Sequence, residues 1–255
     1  MTIVVLVADA PVEGVACREL LEDTSLSPAE GVDLYKAVLK DSFETLAASN
    51  ADVLVNYPAA DDVPEEITQQ PEAILRSLAA SVLDPDTLDD VRFEVQVGSN
   101  TSAVVGNAIT HLLRDEDRTS ATFLRPCVPR LERSIVDEAS IKLRRSDVVL
   151  GPAADGEVYL AGFREPIDYT DVLEERAIED IVRAAQAEEY TVDFLRDREV
   201  LTTGRDLRTV VSRLRAAHAA GKPVPTHLWE FIESRDVRVL DGEIVVGEGE
   251  ATDSS

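Results

Sequence analysis

Residues 2–8, TIVVLVA, form an unbroken apolar run rich in β-branched side chains. A run of this kind suits a strand covered on both faces, the usual condition of a strand in a parallel sheet. Similar segments recur at 52–57, 91–97, 121–124, 147–150 and 158–162. Between them the apolar residues fall at helical spacing. Ser27-Pro28-Ala29-Glu30 supplies a cap, a first-turn proline and a capping-box glutamate, and Leu34, Val38, Phe43 and Leu46 then share one side of a helix. Residues 71–83, 102–113 and 131–143 read as further helices. Strands alternating with helices of roughly ten or more residues predict a three-layer α/β sandwich, a mostly parallel sheet with helices on both faces and right-handed crossovers.

Helices at 172–187 and 205–220 are expected to flank a short strand at 191–195. Gly221-Lys-Pro-Val-Pro225 interrupts the chain, and a short helix at 226–233 and a hairpin at 237–246 around Asp241-Gly242 follow. There is no internal repeat and no clear linker. The division expected is one α/β domain over 1–220, a helix-and-hairpin appendage over 221–246, and a disordered acidic tail over 247–255.

Charge narrows the partners. The chain has 50 acidic and 25 basic residues, for a net charge of −25. That balance fits a cytoplasm with molar salt, where screening over ~3 Å tames self-repulsion. No Lys/Arg stripe is present, so nucleic acid is not an expected partner. The short run Lys142, Arg144, Arg145 reads as the favourably charged end of a helix. No apolar stretch reaches the ~18 residues of a membrane span, and the N-terminus reads as a strand rather than a signal peptide. Cys17 and Cys127 lack metal-ligand spacing and suit buried thiols of a reducing cytoplasm, the expected location.

The segment most informative about function is 150–163, LGPAADGEVYLAGF, directly after an apolar strand. A turn at the carboxyl end of a strand is where open α/β sheets hold ligands, and Asp155 there can meet a ribose hydroxyl, a metal or an acceptor. The alternative is a hairpin turn whose Asp-Gly pair only supplies permissive backbone angles. No GxGxxG, Walker loop or GxSxG elbow appears. His111, His218 and His227 have no second histidine at metal spacing and read as surface or capping residues, while Trp229 and Phe231 read as packing residues.

The order of strand, Pro-x-x-Gly loop, Leu-Tyr helix, Gln-x-Gly, strand ending in Pro-x-Leu, and Gly151-Pro152-Ala153-Ala154-Asp155-Gly156 resembles one family. It is the glycosyltransferase-like group gathered as domain of unknown function 2064, related to nucleotide-sugar and nucleotidyl transferases, and the resemblance runs over 2–214. It implies a nucleotide-diphospho-sugar transferase (GT-A-like) fold that binds a nucleotide or nucleotide-sugar donor at the carboxyl edge of the sheet. It places Asp155 in the catalytic role and Gly14, Arg18, Gly151, Pro152, Gly156 and Asp206 around the donor. It also implies Mg²⁺ or Mn²⁺ as cofactor if the protein is active. An archaeal guanylyltransferase acting on a phospho-acid shares the general scaffold, but it would need more basic residues near Gly14 and a glycine-rich turn after the fifth strand.

The departures run in one direction. Cys17 and Glu19 stand where the family has lysine and arginine, leaving Arg18 as a shifted cation. Cys127 stands at the position of a metal-binding aspartate, and a thiol is a poor ligand for a hard cation. The stretch 200–207 keeps Thr203, Asp206 and Leu207 but not the family's first two aspartates, and Glu157 and Val158 replace a glycine and a tyrosine. Asp155 and Glu157 could hold a cation only with help from other ligands. The expectation is a transferase scaffold with no dedicated metal site, its metal and phosphate ligands largely lost; the alternative is a non-catalytic binding or partner protein on that scaffold.

Overall fold

The computed structural model describes residues 2–64 and 70–247. Of the expected tail, residues 248–255 lie outside the described residues. In chain order the elements are β1 (Thr2–Val7), α1 (Arg18–Glu22), α2 (Pro28–Ala47), β2 (Asp52–Tyr57), α3 (Pro71–Ala80), α4 (Pro85–Asp89), β3 (Arg92–Val95), α5 (Thr101–Arg114) and β4 (Ser120–Leu124). The second half adds α6 (Arg133–Lys142), β5 (Val148–Pro152), β6 (Val158–Phe163), α7 (Ala177–Ala187), β7 (Val192–Phe194), α8 (Gly204–Ala219), α9 (Thr226–Ser234), β8 (Arg238–Leu240) and β9 (Glu243–Val245).

Among the described residues, seven strands form one sheet in the order β3-β2-β1-β4-β6-β5-β7. All neighbours are parallel except β6, which runs antiparallel to both β4 and β5. The reason is local: β5 and β6 are joined by a short turn at 153–157, too short for a crossover. Alternation sorts the strand residues between faces. Val4 and Leu6 of β1 join a core built with α2, α3 and α6, whereas Ile3 and Val5 join a core built with α5 and α7. This is the three-layer α/β sandwich expected.

A third core lies off the sheet. Leu34 and Val38 of α2 meet Leu207, Val210 and Val211 of α8 and Leu228, Phe231 and Ile232 of α9, with Ile244 of the hairpin. Gly204 packs so closely on the 23–24 backbone that a Cβ there would sit 2.5 Å from the Asp23 carbonyl oxygen.

Two boundaries and two short helices depart most from expectation. The helix expected at 172–187 begins only at Ala177. Asp171 takes a left-handed φ of 54°, and Val172 and Leu173 cover the sheet as irregular chain, held by the Leu173 amide donating to Ser102 Oγ at 2.9 Å. The strand expected at 91–97 stops at Val95 because Gln96 turns its side-chain amide to the carbonyls of Ala8 and Asn56, both at 3.0 Å. That contact ties together the carboxyl ends of β1 and β2. α1 and α4 have no counterpart in the sequence pattern; at five residues each they are too short to show a period.

Candidate functional site at the carboxyl edge of the sheet

The strand order reverses between β1 and β4, so a crevice opens outside their carboxyl ends. The walls of this edge are the β1 loop (8–17), the stretch after β4 (125–132), the β5–β6 turn (153–157), the chain after β7 (195–200) and the start of α8. Two hydrogen bonds tie these segments together: the Leu201 amide donates to the Cys127 carbonyl at 2.8 Å, and the Arg198 amide to the Pro152 carbonyl at 3.1 Å.

Asp155 sits in the turn with φ 56°, followed by Gly156 at φ 83°. The Asp-Gly pair therefore does supply the left-handed angles of a tight reversal, and the same geometry leaves the Asp155 side chain exposed. Gly151 is buried, and a Cβ on it would come within 2.4 Å of the Tyr159 ring. Tyr159 is itself fixed by its hydroxyl donating to the Arg196 carbonyl at 3.0 Å, and burial pushes its phenol up to about 12. Gly151 and Pro152 thus shape the end of β5, with Gly151 packed in the interior rather than facing a ligand.

Asp155 and Asp206 line one cavity of 490 Å³ with Arg130, Arg198, Arg205 and Arg213. Asp206 is engaged: its Oδ2 accepts from the amide and hydroxyl of Thr203, at 2.9 and 2.8 Å, and from the Thr202 hydroxyl at 3.0 Å. With Thr203 it forms the capping box of α8, so its observed work is to start a helix. Arg213 pairs with Glu199, and Arg198 lies 3.8 Å from Glu132. Arg130 and Arg205 make no ion pair among the described residues. The Arg198 Nε is buried without a hydrogen-bond partner. The cavity therefore presents guanidinium groups with spare donors beside the Asp155 carboxylate, in a chain of net charge −25.

A second set of polar groups gathers where β1 and β4 end. The Asp9 amide donates to the Tyr35 hydroxyl at 2.8 Å, and Tyr35 is fully buried. Asp9 reaches solvent at the lip of the crevice, but the surrounding protein desolvates its carboxyl and raises its pKa. Burial, with the nearby Asp9 charge adding to it, pushes the Cys17 thiol up to about 12. Burial pushes the Cys127 thiol well up too, with Cys17 and Asp9 contributing. Both cysteines are free, and as protonated thiols they are poor nucleophiles and poor metal ligands. Sequence reasoning passes over Asp9. Its only signal is position, an acid two residues past the first strand.

The residues expected around a donor are thus divided. Gly14 belongs to the β1 loop and Arg18 opens α1, both outside the Asp155 cavity. Gly14 takes φ 80°, and Arg18 curls back to donate to the Gly14 carbonyl at 2.7 Å. The metal implied by the family does not fit the residues at this edge. Cys127 occupies the aspartate position as a half-buried thiol whose pKa desolvation raises, and Glu157 faces Arg125 at 3.7 Å instead of joining Asp155. Arg125 is anchored by its Nε donating to the Val158 carbonyl at 2.8 Å. Among the described residues, the group of three His, Cys, Asp or Glu ligand atoms lying within 4.8 Å of one another is Asp41, Glu44 and His227, away from Asp155. No described helix is long and apolar enough to cross a membrane.

Comparison with known proteins agrees with this architecture. A protein provisionally named a nucleotide-diphospho-sugar transferase, from Desulfovibrio desulfuricans G20, superposes with a TM-score of 0.71 at 20% identity, covering 92% of this chain and 95% of its own. The 4-diphosphocytidyl-2C-methyl-D-erythritol synthase of Anaerococcus prevotii DSM 20548 superposes at 0.51 with 11% identity, covering 84% and 95%. These likenesses are of fold, which is that of nucleotide-diphospho-sugar transferases and cytidylyltransferases. No curated relative matches the chain. Residues 53–178 match the family described as "Uncharacterized protein conserved in bacteria (DUF2064)", which takes in β2 to β6, the cavity turn included. Over that stretch the chain is similar to the DUF2064 family.

Proposed function

We propose that this protein binds a nucleotide or nucleotide sugar at the carboxyl edge of its sheet, with phosphate oxygens against Arg130, Arg205 and Arg198 and sugar hydroxyls against Asp155. The observation that carries this reading is the 490 Å³ cavity in which two arginines without ion pairs flank a carboxylate. Guanidinium groups recognise phosphate through paired donors. An ionised carboxylate only accepts, which suits hydroxyl donors of a sugar. The fold supports the same ligand class, because its relatives are named for nucleotide chemistry.

Calorimetric titration with uridine, guanosine, cytidine and adenosine diphosphates and their sugars tests it. Binding of at least one is expected, weakened about tenfold, or ~1.4 kcal/mol, by Arg205→Gln. Silence across the whole panel, with and without Mn²⁺, sinks the proposal.

A second reading, binding without catalysis, is favoured by a specific pairing: Arg125 occupies Glu157 beside Cys127, where the family resemblance puts a cation. Transferases that expel a diphosphate depend on positive charge to absorb the developing negative charge. On this second reading, arginine is the source of that charge at the cavity. Donor turnover that Asp155→Asn abolishes refutes this second reading while leaving the binding proposal intact.

A further inference from the structure

Outside the carboxyl edge, α2 and α9 bring together three side chains that no sequence spacing links. Asp41 and Glu44 stand three residues apart, on one face of α2, and His227 lies in the first turn of α9. Their ligand atoms all lie within 4.8 Å of one another. Asp41 accepts the amides of His227 and Leu228, both at 2.9 Å, and so neutralises the start of α9. Each of its oxygens keeps a free lone pair.

The histidine carries the inference. Its Nε2 is buried and has no hydrogen-bond partner. The nearest acid oxygen, Glu44 Oε2, is 3.5 Å away, too long for a hydrogen bond. Two zinc ligands at ~2.0–2.1 Å that span a tetrahedral angle stand ~3.4 Å apart, so the gap suits a shared cation. On its other side the ring faces Glu230, with Nδ1 3.6 Å from Oε2. Three carboxylates, those of Asp41, Glu44 and Glu230, thus surround one imidazole. A positive charge here relieves both the repulsion among the acids and the orphaned nitrogen.

We infer that Asp41, Glu44 and His227 form a binding site for a first-row divalent cation, with Zn²⁺ the best match to one imidazole and two carboxylates. The donor set decides the class: an imidazole suits Zn²⁺ and its neighbours in the series, whereas Mg²⁺ and Ca²⁺ prefer all-oxygen shells. Three protein ligands leave a fourth position open. Asp41 and Glu44 line a 710 Å³ cavity with Thr45, Val128 and Lys222, which gives a cation and its remaining ligand a way in. The site joins α2 of the sheet layers to the helix after the Gly-Lys-Pro-Val-Pro break, so the cation would clamp that helix in place.

The test is dialysis of the full chain against a chelator, then titration with Zn²⁺ alone, followed by calorimetry and thermal melting, with Co²⁺ absorption as a second readout. One equivalent should bind and raise the melting temperature. Glu44→Gln, at a half-exposed position that leaves folding undisturbed, and His227→Gln should each weaken binding tenfold or more and lose the Co²⁺ spectrum. His218→Gln, in the helix before the break, should bind as the parent does. Absence of a stoichiometric Zn²⁺ site, or a site that survives both Glu44→Gln and His227→Gln, overturns the inference.

Discussion

A carboxylate partly desolvated by neighbouring protein without a cation costs stability, and Asp9, at the solvent-facing lip of the crevice, is in that position. Its folded pKa is raised above the ordinary 3.8 by burial. The folded state therefore binds the proton more tightly than the unfolded chain, and stability from this group falls as pH rises from 3.8 through the raised value. Asp9→Asn is expected to increase stability at neutral pH and to flatten the slope between acid and neutral pH, measured as urea midpoints across that range. An unchanged or lower midpoint at neutral pH removes the claim that Asp9 is desolvated. Such a residue is the kind kept for binding rather than folding. Asp206 is the opposite case. The family resemblance puts it at the donor, but four donors from Thr202 and Thr203 converge on its Oδ2 and make it a helix cap. From sequence alone a capping Asp and a ligand-binding Asp look alike, because both want a loop just before a helix.

At the level of elements, the edge strand β7 is short, three residues against β5. It is reinforced by Asp147, whose Oδ2 accepts the Thr191 amide at 2.9 Å and hydroxyl at 2.7 Å. Those bonds favour the charged carboxylate and lower its pKa below 3.8, with Arg164 adding to the effect. The stabilisation is present above the ordinary value and is lost as pH falls through the depressed one. Asp147→Asn should therefore cost stability at neutral pH, of order 1 kcal/mol for the lost charge-assisted bonds, and cost progressively less as pH falls below the ordinary 3.8 through the depressed value. Hydrogen exchange at 191–194 checks it: faster exchange in the variant at neutral pH, converging with the parent in acid. Equal protection at neutral pH contradicts it. The β5–β6 turn works at the same scale. Its left-handed Asp155 and Gly156 make the reversal, and the reversal carries Asp155 to the rim of the cavity.

For the whole molecule the dominant electrostatic fact is a net charge of −25. Among the described residues most ion pairs have at least one exposed partner, and those with both exposed, such as Arg114–Glu165 and Arg76–Glu72, contribute little each. Repulsion among the unmatched acids therefore exceeds the attraction in those pairs. Added salt should relieve it as the Debye length shrinks from ~10 Å at 0.1 M to ~3 Å at 1 M. The melting temperature is expected to rise over that interval of KCl. A fall would show that ion pairs outweigh repulsion.

What could be read in the chain follows from short-range rules. Strand runs such as 2–8, the Ser27–Glu30 capping box and the Asp241-Gly242 hairpin each depend on neighbours within a few residues, and each forms where expected. The layered fold follows from their alternation, and the family resemblance from their order. Contacts across the chain decided the rest. Asp41 meets His227 across 186 positions, and Arg125 claims Glu157 only because β6 doubles back beside β4. The arginines of the cavity come from separate loops and a helix. Local periodicity carries no information about which distant side chains converge, since that depends on sheet order and packing, and so the site had to come from the tertiary structure.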